Sequence, residues 1–446
     1  MGEAAKISLK AIGKQDTFLL SKDPDESFFN YTTDRNHSNF RKYHRNRVVV
    51  KPGNAEASWP FNKTIKVEFN PRNMGDLLSN MYLSITMPAI TDGNYADQLG
   101  RHILKSVTMY VDDIEVEKIY DDWGILYDEL YLEVSEKVAN RFLVNRSIGY
   151  DDSTLNSSIS QYKSELVIPL HFFFSRKYAS DEYSSNKPNR PYFPLCAVYR
   201  QKIEFEFVFH RQEFFTETTD NLQLPSFNII TEEITVSPEE RKYLANERQT
   251  LITDLVRKHP TVVSDFNTNV INNNLVPDIP VKCIHWFLRN TDFEDDSQPK
   301  GNETNSETYY SQNRFNFSSN VNFDETQTFF YPILESASFF INGSKLPNIT
   351  KTNHNYFKYL IPYKHRLARP YRNIYTYSFS MNPINVEPSG NLDFSQIQSD
   401  KTSIEVILDT SPGSLVNIAT KTYALHMYYT GYQTFVFENG FMSIAY

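Results

Sequence analysis

The chain has 446 residues, room for two or three domains at about 150 residues each. Hydrophobic residues make up 40% and charged residues 22%, which excludes wholesale disorder. The net charge of −9 gives no bulk electrostatic pull toward nucleic acid, and no window approaches the ~18 apolar residues of a membrane-spanning helix.

Aromatics stand at 15%, with 33 Phe and 29 Tyr, and wide flat side chains favour strands. In chain order, no apolar stretch follows Met1 to Lys10, so no signal peptide is expected, and Lys6 stands where myristoylation needs Ser or Thr. Asn-x-Ser/Thr sequons at Asn30, Asn62, Asn145, Asn302 and Asn348 are read as chance matches in a chain rich in these residues. Arg41, Lys42, Tyr43, His44, Arg45 and Arg47 form a basic run, read as a solvated arm in preference to a polyanion contact.

Strands are expected at Thr64–Phe69, Tyr82–Thr86, Lys202–Phe207 and Ser403–Leu408, each alternating polar and apolar so that one face meets a core. Helical spacing is rare. Asp121 to Ala139 carries Trp123, Leu126, Tyr127, Leu130, Tyr131 and Val134 on one helix face. Ser237-Pro238-Glu239-Glu240 reads as a helix start with a capping box, and the helix is expected to run on from Arg241 to Val256 as a connector between two strand-rich halves. Asn145 to Ser164 and Thr291 to Asn322 read as long polar loops. Cys196 and Cys283 each sit in an apolar segment and are expected as buried free thiols, which suits a reducing compartment.

An internal repeat points to two similar halves. Ile103-Leu104-Lys105-Ser106-Val107-Thr108-Met109-Tyr110-Val111-Asp112-Asp113 aligns without gaps to Ile333-Leu334-Glu335-Ser336-Ala337-Ser338-Phe339-Phe340-Ile341-Asn342-Gly343. Both end in turn formers. Ile203-Glu204-Phe205 matches Ile404-Glu405-Val406 at a shorter offset, which places extra residues of the first half between Asp121 and Lys163. Periodicity leaves jelly roll and immunoglobulin-like sandwich both open.

The search for chemistry singles out no residue. There is no His-x-His of a cupin metal site, no His-Glu-x-x-His, no Cys-x-x-Cys, no P-loop and no Gly-x-Ser-x-Gly. Asp112, Asp113, Glu115, Glu117, Asp121 and Asp122 are dense, and a glycosidase pair would need two of them to converge. Asp112 and Asp113 fall at a turn, and Glu115 with Glu117 reads as one solvated strand face. Trp286, in Cys283-Ile284-His285-Trp286-Phe287-Leu288, reads as core. No catalytic, cofactor-binding or metal-ligating residue is therefore named.

With these readings in place, the chain resembles the double jelly-roll major capsid proteins of nucleocytoplasmic large DNA viruses and their relatives. Gly13-Lys14-Gln15-Asp16, Phe28-Phe29 and Arg35-Asn36-His37-Ser38-Asn39-Phe40 resemble the family's opening. Tyr120 and Trp123 match its Tyr-x-x-Trp, and Leu166 to Phe174 with Pro194 to Val198 resemble two further segments. In the second half, Pro280-Val281-Lys282, Ile341-Asn342-Gly343, Tyr375 to Ser380 and Pro388 to Ser395 are similar to family motifs, in order. The ending Asn439 to Tyr446 departs from the family tail.

The resemblance implies an all-β fold of two tandem eight-stranded jelly rolls with a few short helices. It implies residues 1–26 as an N-terminal arm, 27–236 as the first jelly roll and 237–446 as the second, opening with a helical connector over 237–256. The arm, taken up to about Lys51, would run along the inner side of a shell.

The implied function is a non-enzymatic major capsid protein whose homotrimers form pseudo-hexagonal capsomers of an icosahedral shell. Neighbouring capsomers, minor capsid and penton proteins and a nearby inner membrane are the implied partners, with no sequence-specific nucleic acid and no cofactor. The implied location is the virion capsid, assembled in the host cytoplasm. Rival readings are a same-fold minor capsid protein, a membrane-shaping scaffold, or a glycan-binding β-sandwich.

Overall fold

The computed structural model describes residues 40–53, 58–91, 95–96, 98–144, 164–176, 192–216, 218–294, 314–319, 331–348, 352–385 and 388–445. The opening motifs through Asn39 lie outside them. The first half contributes β1 (Phe40–Val50), β2 (Thr64–Phe69), β3 (Leu77–Met87), β4 (Leu104–Val111), β5 (Ile114–Tyr120), β6 (Ser164–Pro169), β7 (Ile203–Phe209) and β8 (Phe227–Val236). Helices α1 (Leu99–Ile103), α2 (Asp121–Leu130) and α3 (Val134–Val144) interrupt them. After α4 (Pro238–Asn246) the second half follows with β9 (Gln249–Lys258), β10 (Val262–Val263), β11 (Val270–Asn274), β12 (Val281–Asn290), β13 (Leu334–Ile341) and β14 (Ser344–Leu346). It closes with α5 (Ile361–Lys364), β15 (Tyr375–Ser378), β16 (Ser403–Leu408), β17 (Tyr423–Glu438) and β18 (Phe441–Ala445).

The first half forms two antiparallel sheets in the orders β1-β8-β3-β6 and β2-β7-β4-β5. The second half repeats that arrangement as β10-β17-β12-β15 and β11-β16-β13-β14. Counted from the first strand of each set, both halves read 1-8-3-6 and 2-7-4-5. This is the double jelly roll. Strands β9 and β18 stand outside the repeat, and both pair with β17.

Alternation builds the cores. Leu83, Ile85, Phe227 and Ile229 point inward from the first sheet, and Phe205 and Phe207 answer from the second. Phe207 and Phe227 meet at 6.0 Å between ring centroids. In the second half Trp286 on β12 meets Phe339 on β13 at 5.4 Å, as its apolar setting implied. The repeated hairpins are real turns with positive φ at both central positions: 48° and 64° at Asp112 and Asp113, 50° and 77° at Asn342 and Gly343. The Ile203/Ile404 match falls on the corresponding strands β7 and β16. Its register is two residues out, since Met109 faces Phe205 whereas Phe339 faces Ile404. A slip of two keeps every side chain on the same face.

Four expectations are corrected. The connector helix starts at the Ser237 cap, which accepts a hydrogen bond from the Glu240 amide, but ends at Asn246. From Gln249 the chain is strand β9, because Thr250, Ile252, Thr253 and Val256 are β-branched and the β17 ladder satisfies their backbone. The helix expected over Asp121–Ala139 is two helices, broken at Tyr131–Glu133. Nor does the arm reach Lys51: Phe40–Val50 is an edge strand along β8, and Arg45 of the basic run pairs with Glu232 at 2.6 Å. Finally, Thr291 to Asn322 is not all surface loop, since Phe293 and Arg314 to Ser318 are buried.

Candidate functional site, the buried seam between the halves

Strand β12 is buried along its whole length. One face, with Ile284, Trp286 and Leu288, fills its own core; the other carries His285, Phe287 and Arg289 toward the first half. Helix α2 lies on that second face. Trp123 packs against His285 and Tyr428 at about 6 Å, and Tyr131, just past the end of α2, shares a 2.9 Å hydrogen bond between its hydroxyl and His285 Nε2. Phe173 and Phe193 extend the apolar contact onto Phe435 and Phe437 of β17.

Charge runs through this interface. Arg289, fully buried, pairs with the fully buried Asp122, whose other oxygen accepts from the Tyr428 hydroxyl at 3.3 Å. Arg314 donates to Asp121 at 3.1 Å, and Asp121 also meets His210 Nε2 at 3.2 Å. Glu294 gathers Arg289 at 3.2 Å, Arg314 at 3.5 Å and His426 at 2.5 Å. Arg372 reaches Glu129 at 2.6 Å, and Glu129 accepts from the Tyr371 amide at 2.6 Å. The first half thus supplies Asp121, Asp122 and Glu129, and the second answers with Arg289, Arg314 and Arg372.

A second set covers the open edge of β5. Glu117 is fully buried, pairs with Arg176, and accepts from the amides of Phe173 at 2.8 Å and Val256 at 2.9 Å. Arg257 donates to the Val116 carbonyl at 3.1 Å, and Arg176 to the Asp254 carbonyl at 2.7 Å. Side chains close an edge that strand pairing leaves open. The solvated-face reading therefore holds for Glu115 and fails for Glu117. The β4-β5 register slips between Met109 and Tyr110, so Glu115 stands opposite half-buried Tyr110 while Glu117 stands opposite fully buried Met109 and meets the Val256 amide of β9.

Electrostatics fix the protonation states. Burial alone would raise the Asp121 carboxyl, but Arg314 and His210 outweigh it and hold it well below the ordinary range. Glu294 is likewise pulled down by Arg289 and His426 against its own burial. Burial pushes the His285 imidazole down to about 3, with Lys282 adding to the effect. Burial takes His171 to about 4 despite its hydrogen bond to Asp128. Asp121 and Glu294 thus serve as anchors whose charge the neighbouring arginines hold.

Cys196 and Cys283 are buried free thiols, as expected, and burial raises both to about 12. Among the described residues no group of three His, Cys, Asp or Glu could hold a metal ion, and no helix is long and apolar enough to cross a membrane. Sequence reading missed the seam. Its signal is a charge inside an apolar strand, as with Arg289 after Cys283 to Leu288.

Two family models match the chain: "Major capsid protein N-terminus" over residues 38–231 and "Large eukaryotic DNA virus major capsid protein" over 239–443. The chain is similar to the major capsid protein of Paramecium bursaria Chlorella virus 1, with 20% identity across 98% of each sequence. It is 25% identical to the Pyramimonas orientalis virus major capsid protein over 38% of this chain and 40% of that one. Among solved structures, PBCV-1 VP54 superposes with a TM-score of 0.68 at 18% identity, covering 91% of this chain and 98% of that one. The Faustovirus major capsid protein gives 0.61 at 11% identity, covering 89% and 90%. Both likenesses concern the fold.

Proposed function

Because the chain belongs to the large eukaryotic DNA virus major capsid protein family, we propose that three copies associate into a pseudo-hexagonal capsomer and that capsomers tile an icosahedral shell. It is a structural major capsid protein of a large DNA virus and a component of the virion capsid. The observation that carries the capsomer reading is the repeat of one strand order in both halves, joined by a buried charged seam. Three rigid pairs of like units outline six, the shape that fills a facet. Its work is geometric, with no reaction to catalyse.

Within this reading residues 1–26 are an arm, 27–236 the first jelly roll and 237–446 the second. The arm faces the inside of the shell, toward minor capsid and penton proteins and an inner membrane, and assembly takes place in the host cytoplasm. Static light scattering on purified protein at micromolar concentration should give three times the chain mass of 52.1 kDa. Monomer alone would count against the capsomer.

A further inference from the structure

In both halves the connection that follows the fifth strand of the jelly roll is helical. In the first half it is α2 and α3, after β5; in the second it is the segment 356–364, after β14 and before β15. Every residue of α2 is buried, because the second half lies over it. Its counterpart is covered on one side only. Phe357 reaches Trp286 of its own core at 4.9 Å, while Leu360 is 52% and Tyr363 84% exposed. Beside it Met381 is 87% exposed, its carbonyl 3.1 Å from His365 Nδ1. These are large apolar side chains in open solvent on a chain whose matching helix is wholly enclosed.

The receiving faces show the same asymmetry. Helix α2 rests on the outer face of β12 and β17, the third and eighth strands of the second half. The third and eighth strands of the first half are β3 and β8. Of their outward side chains Tyr82, Asn228 and Ile230 are half-buried, Ser84 and Glu232 are buried and paired with Glu165 and Arg45 of the edge strands, and Val49 on the neighbouring β1 is 49% exposed. Leu83 and Ile229 on the alternate positions fill the core. Among the described residues each chain thus carries one donor helix without a covered outer face and one receiving sheet without a helix on it.

We propose that the segment 356–364 of one copy packs on the outer face of the β1-β8-β3-β6 sheet of the next, repeating between chains the contact that α2 makes within the chain. Donor and receiver are different surfaces, so the contact is heterologous, and a repeat of the same step around six jelly rolls closes after three chains. Leu360, Tyr363 and Met381 are the donor side chains; Val49, Tyr82 and Ile230 receive them. The occupant is a second copy because the chain's own repeat supplies both the helix and the sheet. This assignment rests on the trimer reading and adds the surfaces that make it.

The test uses two full-length variants at exposed positions, Tyr363→Asp on the donor and Val49→Asp on the receiver, with wild-type protein alongside. Wild type should scatter as three chains and each variant alone as one, with circular dichroism and thermal midpoint unchanged. Mixed in equal amounts, the variants should form a dimer, since one keeps an intact donor and the other an intact receiver. A trimeric wild type with trimeric variants, or variants that stay monomeric when mixed, would overturn the heterologous contact while leaving the trimer. A monomeric wild type would overturn the trimer reading and this contact with it.

Discussion

Arg289 and Asp122 are 167 positions apart and both fully buried; Asp122 holds one side of the guanidinium and Glu294 the other, while Tyr428 satisfies the second Asp122 oxygen. Asp122→Ala should cost about 3 kcal/mol, at the low end for a broken buried pair, because it leaves a buried guanidinium to Glu294 alone. Replacing both together, as Asp122→Leu with Arg289→Met, should recover most of that loss, since Glu294 keeps Arg314 and His426. Urea midpoints for the single and double variants check this; a double variant as weak as the single would contradict it. Acid should act on the seam through His285 and on the interior of the first half through His171. Unfolded histidine titrates near about 6.5, whereas folded His171 and His285 protonate only near about 4 and about 3. Between those values the unfolded chain binds more protons, so stability is full above about 6.5 and falls as pH falls. Asp121 and Asp128, both lowered, add a loss of the same sign at still lower pH. The urea midpoint should therefore drop between pH 7 and 4.5, and drop less in His285→Gln; equal slopes in the two proteins would exclude His285 as a source.

Among the elements, the two equivalent hairpins use different residues for one geometry. Asn342-Gly343 suits positive φ, while Asp113 holds φ at 64° with a side chain attached. Asp113→Gly should stabilise the chain by about 0.5–1 kcal/mol, read as a higher thermal midpoint, and an unchanged or lower midpoint would show that Asp113 is not strained. These hairpins were legible because a tight turn depends on the few residues in it. Strand β9 was not. Thr250 to Val256 follows a well-capped helix start, and nothing local forbids continuation; the β17 ladder from Gln249 to Lys258 decides it. Glu117 was missed for a related reason. Its alternation with Glu115 matches an exposed face, but Val256 and Arg176, from distant elements, enclose it.

At the scale of the whole molecule, the seam binds two jelly rolls that would otherwise be separate units. Charged pairs, aromatic contacts and side-chain cover of the β5 edge all cross between the halves. Equilibrium unfolding should therefore be a single transition, with tryptophan fluorescence and far-ultraviolet circular dichroism coincident. Two separated transitions would mean that the halves are stable alone and the seam weak.

The amino-acid sequence by itself determined the features that depend on neighbours in the chain. Alternation gave strands, Ser237 a cap, Asn342-Gly343 a turn, and apolar flanks two buried cysteines. The repeat and the ordered motifs carried the reading as far as two jelly rolls in a shell protein. Only the tertiary structure decided which charges are interior. A buried carboxylate requires a cation that the chain supplies 59 to 193 positions away, and no local pattern of Asp121, Asp122 or Glu117 records where Arg314, Arg289 or Arg176 will stand.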